Sequence, residues 1–280
     1  MTEFYGCHAP QQRACVMPQG KRPTSPARLG GVASLAMLLG CFALAPTAFG
    51  QAAPVAPPTD MDRAIELLNE ARRHFQNVQD YECRAISQER VNGVLLPEGV
   101  KTMKVRNQPF SIYLRSESPS ADAGMEICYV AGRNEGMMRV NPAGVAGIFG
   151  FWSVDPRDPR AFEKNRHCIT EAGFGNLLEN MARYWDMERL LNKTVVHIVD
   201  DAIDGRACTR IETIHPDRNA GSFYGYRCFL WLDKVTHMPV GAETYDWPRP
   251  GGAEGGDLLE RYRYLGLRCN IELGEDTFSH

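Results

Sequence analysis

From residue 81 to residue 273 the chain repeatedly changes character every second residue, and a period of two restricts it to a sheet-dominated fold. Tyr81, Cys83, Ala85 and Ser87 alternate with charged or polar neighbours, and Asn92-Gly93 supplies a tight-turn signal directly afterwards. Further runs with the same period occupy residues 100–106, 110–117, 124–131, 137–140, 194–199, 206–214, 224–232, 238–245, 258–264 and 267–273. The connections between them are short, as at Gly132-Arg133-Asn134-Glu135-Gly136. Short connections dictate antiparallel neighbours, because parallel strands need long crossovers. Two segments carry the helical period instead. Residues 60–76 place Ile65, Leu68, Ala71 and Phe75 on one face behind a Thr59 or Asp60 cap, and residues 171–191 place Phe174, Leu177, Leu178, Met181 and Trp185 on one face behind Thr170. About eleven strands and two one-sided helices pack most economically as an α+β domain over 60–280: one large curved antiparallel sheet, a half-barrel, with the helices covering it.

The first fifty residues differ from the rest. A basic stretch ends at Arg28, an apolar run follows over 29–45, and Ala48-Phe49-Gly50 precedes Gln51, which is the three-part pattern of a secretory signal peptide cleaved after Gly50. The apolar run contains Gly30, Gly31, Ser34 and Gly40 and stops at Pro46, so a membrane span is disfavoured. Leu38-Leu39-Gly40-Cys41 offers an alternative, lipidation at Cys41, although Phe42 and Leu44 continue the apolar run where a polar tether is normal. Residues 51–59, rich in Ala and Pro, read as a linker. The chain is therefore expected to be exported, to the periplasm or cell envelope, with peripheral membrane contact open to it.

Charge narrows the partners. The sequence has 31 basic and 34 acidic side chains; without residues 1–50, which hold four and one of these, 27 face 33. A mildly acidic protein without clustered Lys and Arg is a poor match for nucleic acid.

The C-terminal third carries a family pattern. Trp231-Leu232-Asp233-Lys234, Thr236, Pro239-Val240, Glu243, Tyr245-Asp246, the aromatic pair Tyr262 and Tyr264, Asn270, and Asp276-Thr277-Phe278 resemble the closing segment of the lipoprotein-carrier (LolA-like) superfamily. That superfamily includes lipoprotein chaperones, outer-membrane receptors and envelope-stress regulators. Residues 81–90, Arg106-Asn107-Gln108-Pro109-Phe110 and the stretch from Asn165-Arg166-His167 to Gly173 are similar to an exported bacterial family known only as a domain of unknown function. The resemblance implies a LolA-like half-barrel that shelters acyl chains under helical lids. It implies a non-catalytic binder or carrier of a lipid, a lipoprotein or another apolar ligand, or else a regulatory module that binds a protein partner on the same fold.

Under that expectation the strand residues Ile112, Leu114, Ile127, Tyr129, Leu230 and Trp231 line the cavity. The apolar, glycine-rich segment around Ile148, Phe149, Phe151 and Trp152 is its lid, and Arg166, His167 and Glu171 form a polar rim. Six cysteines follow the leader, and Cys208 and Cys228 lie equidistant from the centre of a turn at 216–221, which predicts a disulfide across a hairpin. Other chemistry finds little support. His167-Cys168 ahead of a helix could favour a thiolate, but adjacent residues on an extended segment point apart. Asp200, Asp201 and Asp204 before Gly205 read as a solvated turn, without the trailing glutamate of a calcium loop. His74, His197, His215 and His237 sit in separate elements without metal-ligand spacing, so no metal and no cofactor is expected.

Overall fold

A computed structural model of the chain describes residues 58–119 and 121–280; the leader, its cleavage position and Cys41 lie outside the described residues. Helix α1 spans Asp60–Phe75. The strands of the first half are β1 Asp80–Val91, β2 Val94–Leu95, β3 Gly99–Arg106, β4 Ser111–Ser118, β5 Glu126–Val130, β6 Met138–Asn141 and β7 Trp152–Val154. Helix α2, Phe174–Leu191, separates them from β8 Val195–Ile203, β9 Arg206–Ile214, β10 Arg227–Asp233, β11 Pro239–Tyr245 and β12 Leu258–Cys269. All twelve strands join one open antiparallel sheet in the order β7-β6-β5-β4-β3-β1-β12-β11-β10-β9-β8, with β2 pairing β1.

This order has one consequence that shapes everything else. The two edges, β7 and β8, are consecutive strands, so the chain between them must travel from one edge of the sheet to the other across a face. It does so as an irregular segment followed by α2. We call the crossed face inner and the opposite face outer. On the inner face, α1 (Met61, Ala64, Leu68, Ala71) and α2 (Leu178, Trp185) pack onto Val196, Ile211, Leu230 and Leu232 of β8–β10. A second inner cluster joins Phe174, at the start of α2, to Tyr81, Cys83, Met103, Val105, Ile112 and Met238. The outer face carries smaller clusters, Cys208 with Phe229, Trp231 and Val240, and Cys128 with Val130 and Phe278.

Local chemistry explains the boundaries. The Thr59 hydroxyl accepts from the Asp62 N–H at 3.1 Å while the Asp62 carboxylate accepts from the Thr59 N–H at 2.9 Å, closing a capping box on α1. Asn92 and Gly93, both with positive φ, make the two-residue turn between β1 and β2. Asp233 Oδ1 accepts from the Val235 and Thr236 N–H groups at 2.9 and 2.7 Å, which reverses the chain between β10 and β11 as the motif implied.

Several expectations need correction. Helix α2 starts at Phe174, not residue 171, because Ile169–Glu171 is a separate single turn and Gly173, at φ +91°, breaks between them. Thr170 caps nothing; its hydroxyl donates to Cys168 Sγ. The runs 258–264 and 267–273 share the single strand β12, bulged where Gly266 and Leu267 together oppose Cys83. The predicted bridge fails on register. Cys208 lies opposite Asp233 and Cys228 opposite Thr213, five residues out of step and on opposite faces, and both thiols are free. Residues 215–226 form a longer, asymmetric connection that the symmetric turn assumption did not allow.

Gly173 also predicts a measurable cost. A Cβ there would sit 2.8 Å from Tyr81 Oη on top of the unfavourable φ. Gly173→Ala is expected to lose about 1–3 kcal/mol in chemical denaturation. Gly132→Ala, also at positive φ but with nothing within 4 Å of the new Cβ, is expected to lose less.

Candidate functional site: the inner face of the sheet

Where β1 meets β12, the register sets Glu89 directly opposite Glu260. Two like charges side by side on one face repel, and Glu260 is almost fully buried, so the pair demands cations. The crossing segment supplies them. The Arg166 N–H donates to Glu89 Oε2 at 2.5 Å, its Nη1 donates to the Arg90 carbonyl at 3.0 Å, and its Nε lies 3.2 Å from Glu260 Oε2. His167 Nε2 is 2.8 Å from that same Glu260 oxygen. The Tyr224 hydroxyl donates to Glu260 at 2.9 Å and the Tyr262 hydroxyl to Glu89 at 2.8 Å.

Burial pushes the Glu260 carboxyl up, but the hydrogen bond and charge of His167 and the charge of Arg166 outweigh it and leave it below its ordinary 4.5. Burial likewise pushes His167 down, and the bond to Glu260 with the charges of Glu260, Glu89 and Glu171 reverses that, leaving it above 6.5. Burial drives the Tyr224 and Tyr262 hydroxyls up, so both remain neutral donors. The cluster is thus an ion-paired staple. Glu171, the third predicted rim residue, stands 3.8 Å from His167 Nδ1 at the edge of the cluster.

Beside the staple runs an apolar row. Leu114 pairs with Ile127, Ile127 with Val140 and Val140 with Trp152, which carries one line of side chains across β4–β7 on the inner face. Ile112 and Tyr129 form the next pair along. Leu114, Ile127, Tyr129 and Val140 are half-buried, whereas Ile112 is fully buried. Leu230 is fully buried beneath the helices and has no cavity to line. Trp231, its neighbour on the strand, points to the outer face, where its Nε1 donates to Asp201 at 3.0 Å. Four of the six predicted lining residues therefore share one region, and Leu230 and Trp231 do not belong to it.

A cavity of about 370 Å³ opens near that region, lined chiefly by Phe75, Tyr81, Val105 and Phe110 with Thr170 and Asn176. Phe110 packs against Tyr129, with 6.3 Å between ring centres. A wider groove of about 1030 Å³ shares Phe75 and Asn107 with it and adds Asp80, Arg106 and Glu272. Sequence patterning placed Phe75 on the α1 apolar face and Phe110 on a strand face. Nothing in the pattern said that they meet at the mouth of a cavity. Lys101 also faces inward, opposite Ala85 and Ser116, with no carboxylate within ion-pair distance among the described residues. Burial lowers its ammonium pKa.

The predicted lid does not close over the row. Ile148 and Phe149 are 77% and 74% exposed and Trp152 52%. Phe151 instead stacks on His280 at 4.5 Å. The segment is pinned to the β6 edge, with Arg139 donating to the Phe151 carbonyl at 3.0 Å and to Ser153 Oγ at 2.7 Å. Gly147 leaves no space for a Cβ, which would lie 2.5 Å from the Pro142 carbonyl oxygen. Ile148 and Phe149 consequently face solvent, and Trp152 forms the exposed end of the inner row.

The remaining candidates resolve simply. Cys168 is buried and donates to the Pro156 carbonyl at 3.2 Å, a packing role. Asp200 pairs with Lys234 at 2.6 Å, and Asp204-Gly205 make a positive-φ turn, as a solvated turn requires. The histidines are less scattered than the sequence suggested: His74 and His237, together with Glu70, bring their ligand-capable atoms within 4.8 Å of one another.

Comparison with known proteins adds a family. The family model described as "Protein of unknown function (DUF1571)" matches residues 78–280. No curated protein matches the sequence. Among solved structures, the chain is similar to a DUF1329 family protein from Desulfovibrio piger, at 13% identity and TM-score 0.37, over 80% of this chain and 98% of that one. It is similar to the Mycobacterium tuberculosis lipoprotein LppX at 12% identity and TM-score 0.43, over 76% and 97%. A LolA superfamily protein from Nitrosomonas europaea matches at 12% identity and TM-score 0.33, over 77% and 96%.

The staple predicts a bell-shaped stability profile. A histidine raised above 6.5 contributes fully below that value and loses its contribution as pH rises through its folded pKa. A carboxyl lowered below 4.5 contributes fully above that value and loses its contribution as pH falls through its folded pKa. The pair is worth most between 4.5 and 6.5. In thermal melts, His167→Gln is expected to flatten the decline from about pH 6 to about pH 9. The loss at pH 6 should stay below the ~3–5 kcal/mol of a sealed pair, because the His167 side chain is 40% exposed. An unchanged slope in the variant would remove the staple from the pH response.

Proposed function

The chain belongs to the DUF1571 family, whose description assigns no activity, and from that premise we propose that it is a non-catalytic exported protein that holds an apolar or amphiphilic ligand, a lipid or the acyl chain of a lipoprotein, on the inner face of its half-barrel. The observation that carries this is the uneven cover of the inner face. The helices fill the space above β8–β10 with Leu68, Leu178 and Trp185. Leu114, Ile127, Tyr129 and Val140 are left half-buried on β4–β6, beside a cavity of about 370 Å³. That volume lies at the lower end of small-molecule sites, enough for a segment of chain and not for a whole lipid. The adjoining groove offers room for a polar end. Export rests on the three-part leader of residues 1–50.

The solvent-exposed Val145, Ile148, Phe149 and Trp152 favour a companion role, contact with a membrane surface or a protein partner from which the ligand is received. Single exposed apolar residues are ordinary, but four on one short segment are not.

The test is fluorescence titration of the leader-free protein with a dansyl-labelled fatty acid. Saturable binding is expected. Ile127→Asp and Phe110→Ala should each weaken it by about tenfold or more, since a buried apolar side chain contributes ~1.5–3 kcal/mol. Val195→Asp, on the outer side of the far edge strand, should leave it unchanged. Absence of saturable binding, or binding indifferent to both inner-face variants, would overturn the proposal.

A further inference from the structure

Glu70 and His74 are one helical turn apart on α1, so their side chains share a flank of the helix. His237 approaches them from the reversal between β10 and β11, bringing its Nδ1 to 3.5 Å from Glu70 Oε1. All three donor atoms lie within 4.8 Å of one another. We propose that Glu70, His74 and His237 form a site for a divalent transition-metal cation of the zinc class, which clamps α1 to the β10–β11 turn.

Four observations support it. A tetrahedral ion with bonds of about 2.0–2.1 Å separates its ligand atoms by about 3.3 Å, close to the spacing already present between His237 and Glu70. His237 is held in place: its N–H donates to the Asp233 carbonyl at 2.9 Å, and Asp233 itself is anchored by Arg206 Nε at 2.8 Å. His237 also occupies φ +57°, the left-handed turn position from which its side chain reaches Glu70 of α1. Lastly, His74 lies in the last turn of α1, where the negative end of the helix dipole favours a cation.

The donor set fixes the metal class. Two imidazole nitrogens and one carboxylate oxygen suit zinc, nickel or copper and are a poor cage for magnesium or calcium, which require more oxygens. Three protein ligands leave a fourth position on the solvent side. The His74 and His237 rings stack at 4.1 Å, 16° from parallel, so each must turn about its second side-chain torsion to aim a nitrogen at a common point. Both have the space, since His74 is exposed and the His237 side chain is 31% exposed. Met238, directly after His237, is buried in the inner core, so the clamp would transmit to the packing beneath α1.

Calorimetric titration of untagged, chelator-treated, leader-free protein with zinc(II), and separately with magnesium(II), tests the site. One zinc per chain and a rise in melting temperature are expected, with no response to magnesium. His74→Ala and His237→Asn should each weaken zinc binding by about tenfold or more, and asparagine keeps the positive φ accessible. Glu70→Gln should weaken it in the same direction, and His197→Ala, on the outer side of β8, should not. Zinc binding weaker than about 1 mM, or an affinity unchanged in both His74→Ala and His237→Asn, would overturn the assignment. Fatty-acid titration is read independently, so failure of one proposal does not decide the other.

Discussion

The fold depends on the strap that runs from one sheet edge to the other. Because β7 and β8 are successive strands at opposite edges, some forty residues must cross the inner face, and a chain crossing a sheet face brings backbone polar groups that need partners. The opposed carboxylates of Glu89 and Glu260 settle that requirement. They would repel if left alone at adjacent positions, and Arg166 and His167 of the strap pair with Glu260 while the Arg166 backbone N–H donates to Glu89. These contacts tie the strap to the sheet at β1 and β12. Once past the staple, the chain turns at Gly173 and delivers Phe174 onto Tyr81, their rings stacked at 4.6 Å, with the Phe174 N–H donating to the Tyr81 hydroxyl at 2.9 Å. Helix α2 then has one direction to follow.

How far the sequence revealed this depended on the range of each interaction. Period-two and period-3.6 patterns record local alternation, and they located both helices and the longer strands to within a few residues, but they missed β2 and the short edge strand β7, whose Trp152 the sequence assigns to a lid. Asn92-Gly93 and Asp233 with Thr236 were legible because their hydrogen bonds stay within three residues. Register was not. The Cys208–Cys228 pairing assumed a symmetric turn at 216–221, whereas the hairpin pivots around residue pair His215 and Tyr226, which a side-chain pattern does not encode. Face assignment failed in the same way at Trp231, where adjacent strand residues were both assigned inward although a strand must send one of them out.

The site was legible in part. Arg166 and His167 stood out as a charged pair before a helix, and the structure does bring them to a polar cluster. Their counterparts Glu89 and Glu260 lie 77 and 93 residues away from them in sequence and carried no local mark. The same holds for Glu70, His74 and His237, whose convergence depends on the tertiary placement of α1 against a turn more than 160 residues later. Short-range spacing rules detect ligands carried by one element and are blind to those shared between two.

The filling of the inner face is uneven for a reason contained in this topology. Both helices belong to segments that start or end near the β8 edge: α2 leads directly into β8, and α1 packs against α2 and β8 through Ala64, Leu68 and Trp185. The cover is therefore anchored to one side of the half-barrel. On the far side, β4–β7, the glycine-rich turn between β6 and β7 is tied to Arg139 at the edge and sends Ile148 and Phe149 away from the sheet. A solid core would require large side chains there, and the turn over residues 144–150 leaves Val145, Ile148 and Phe149 exposed. The half-buried row of Leu114, Ile127 and Val140 thus follows from where the chain must cross, and any apolar partner for that row has to come from outside the sheet and its two helices.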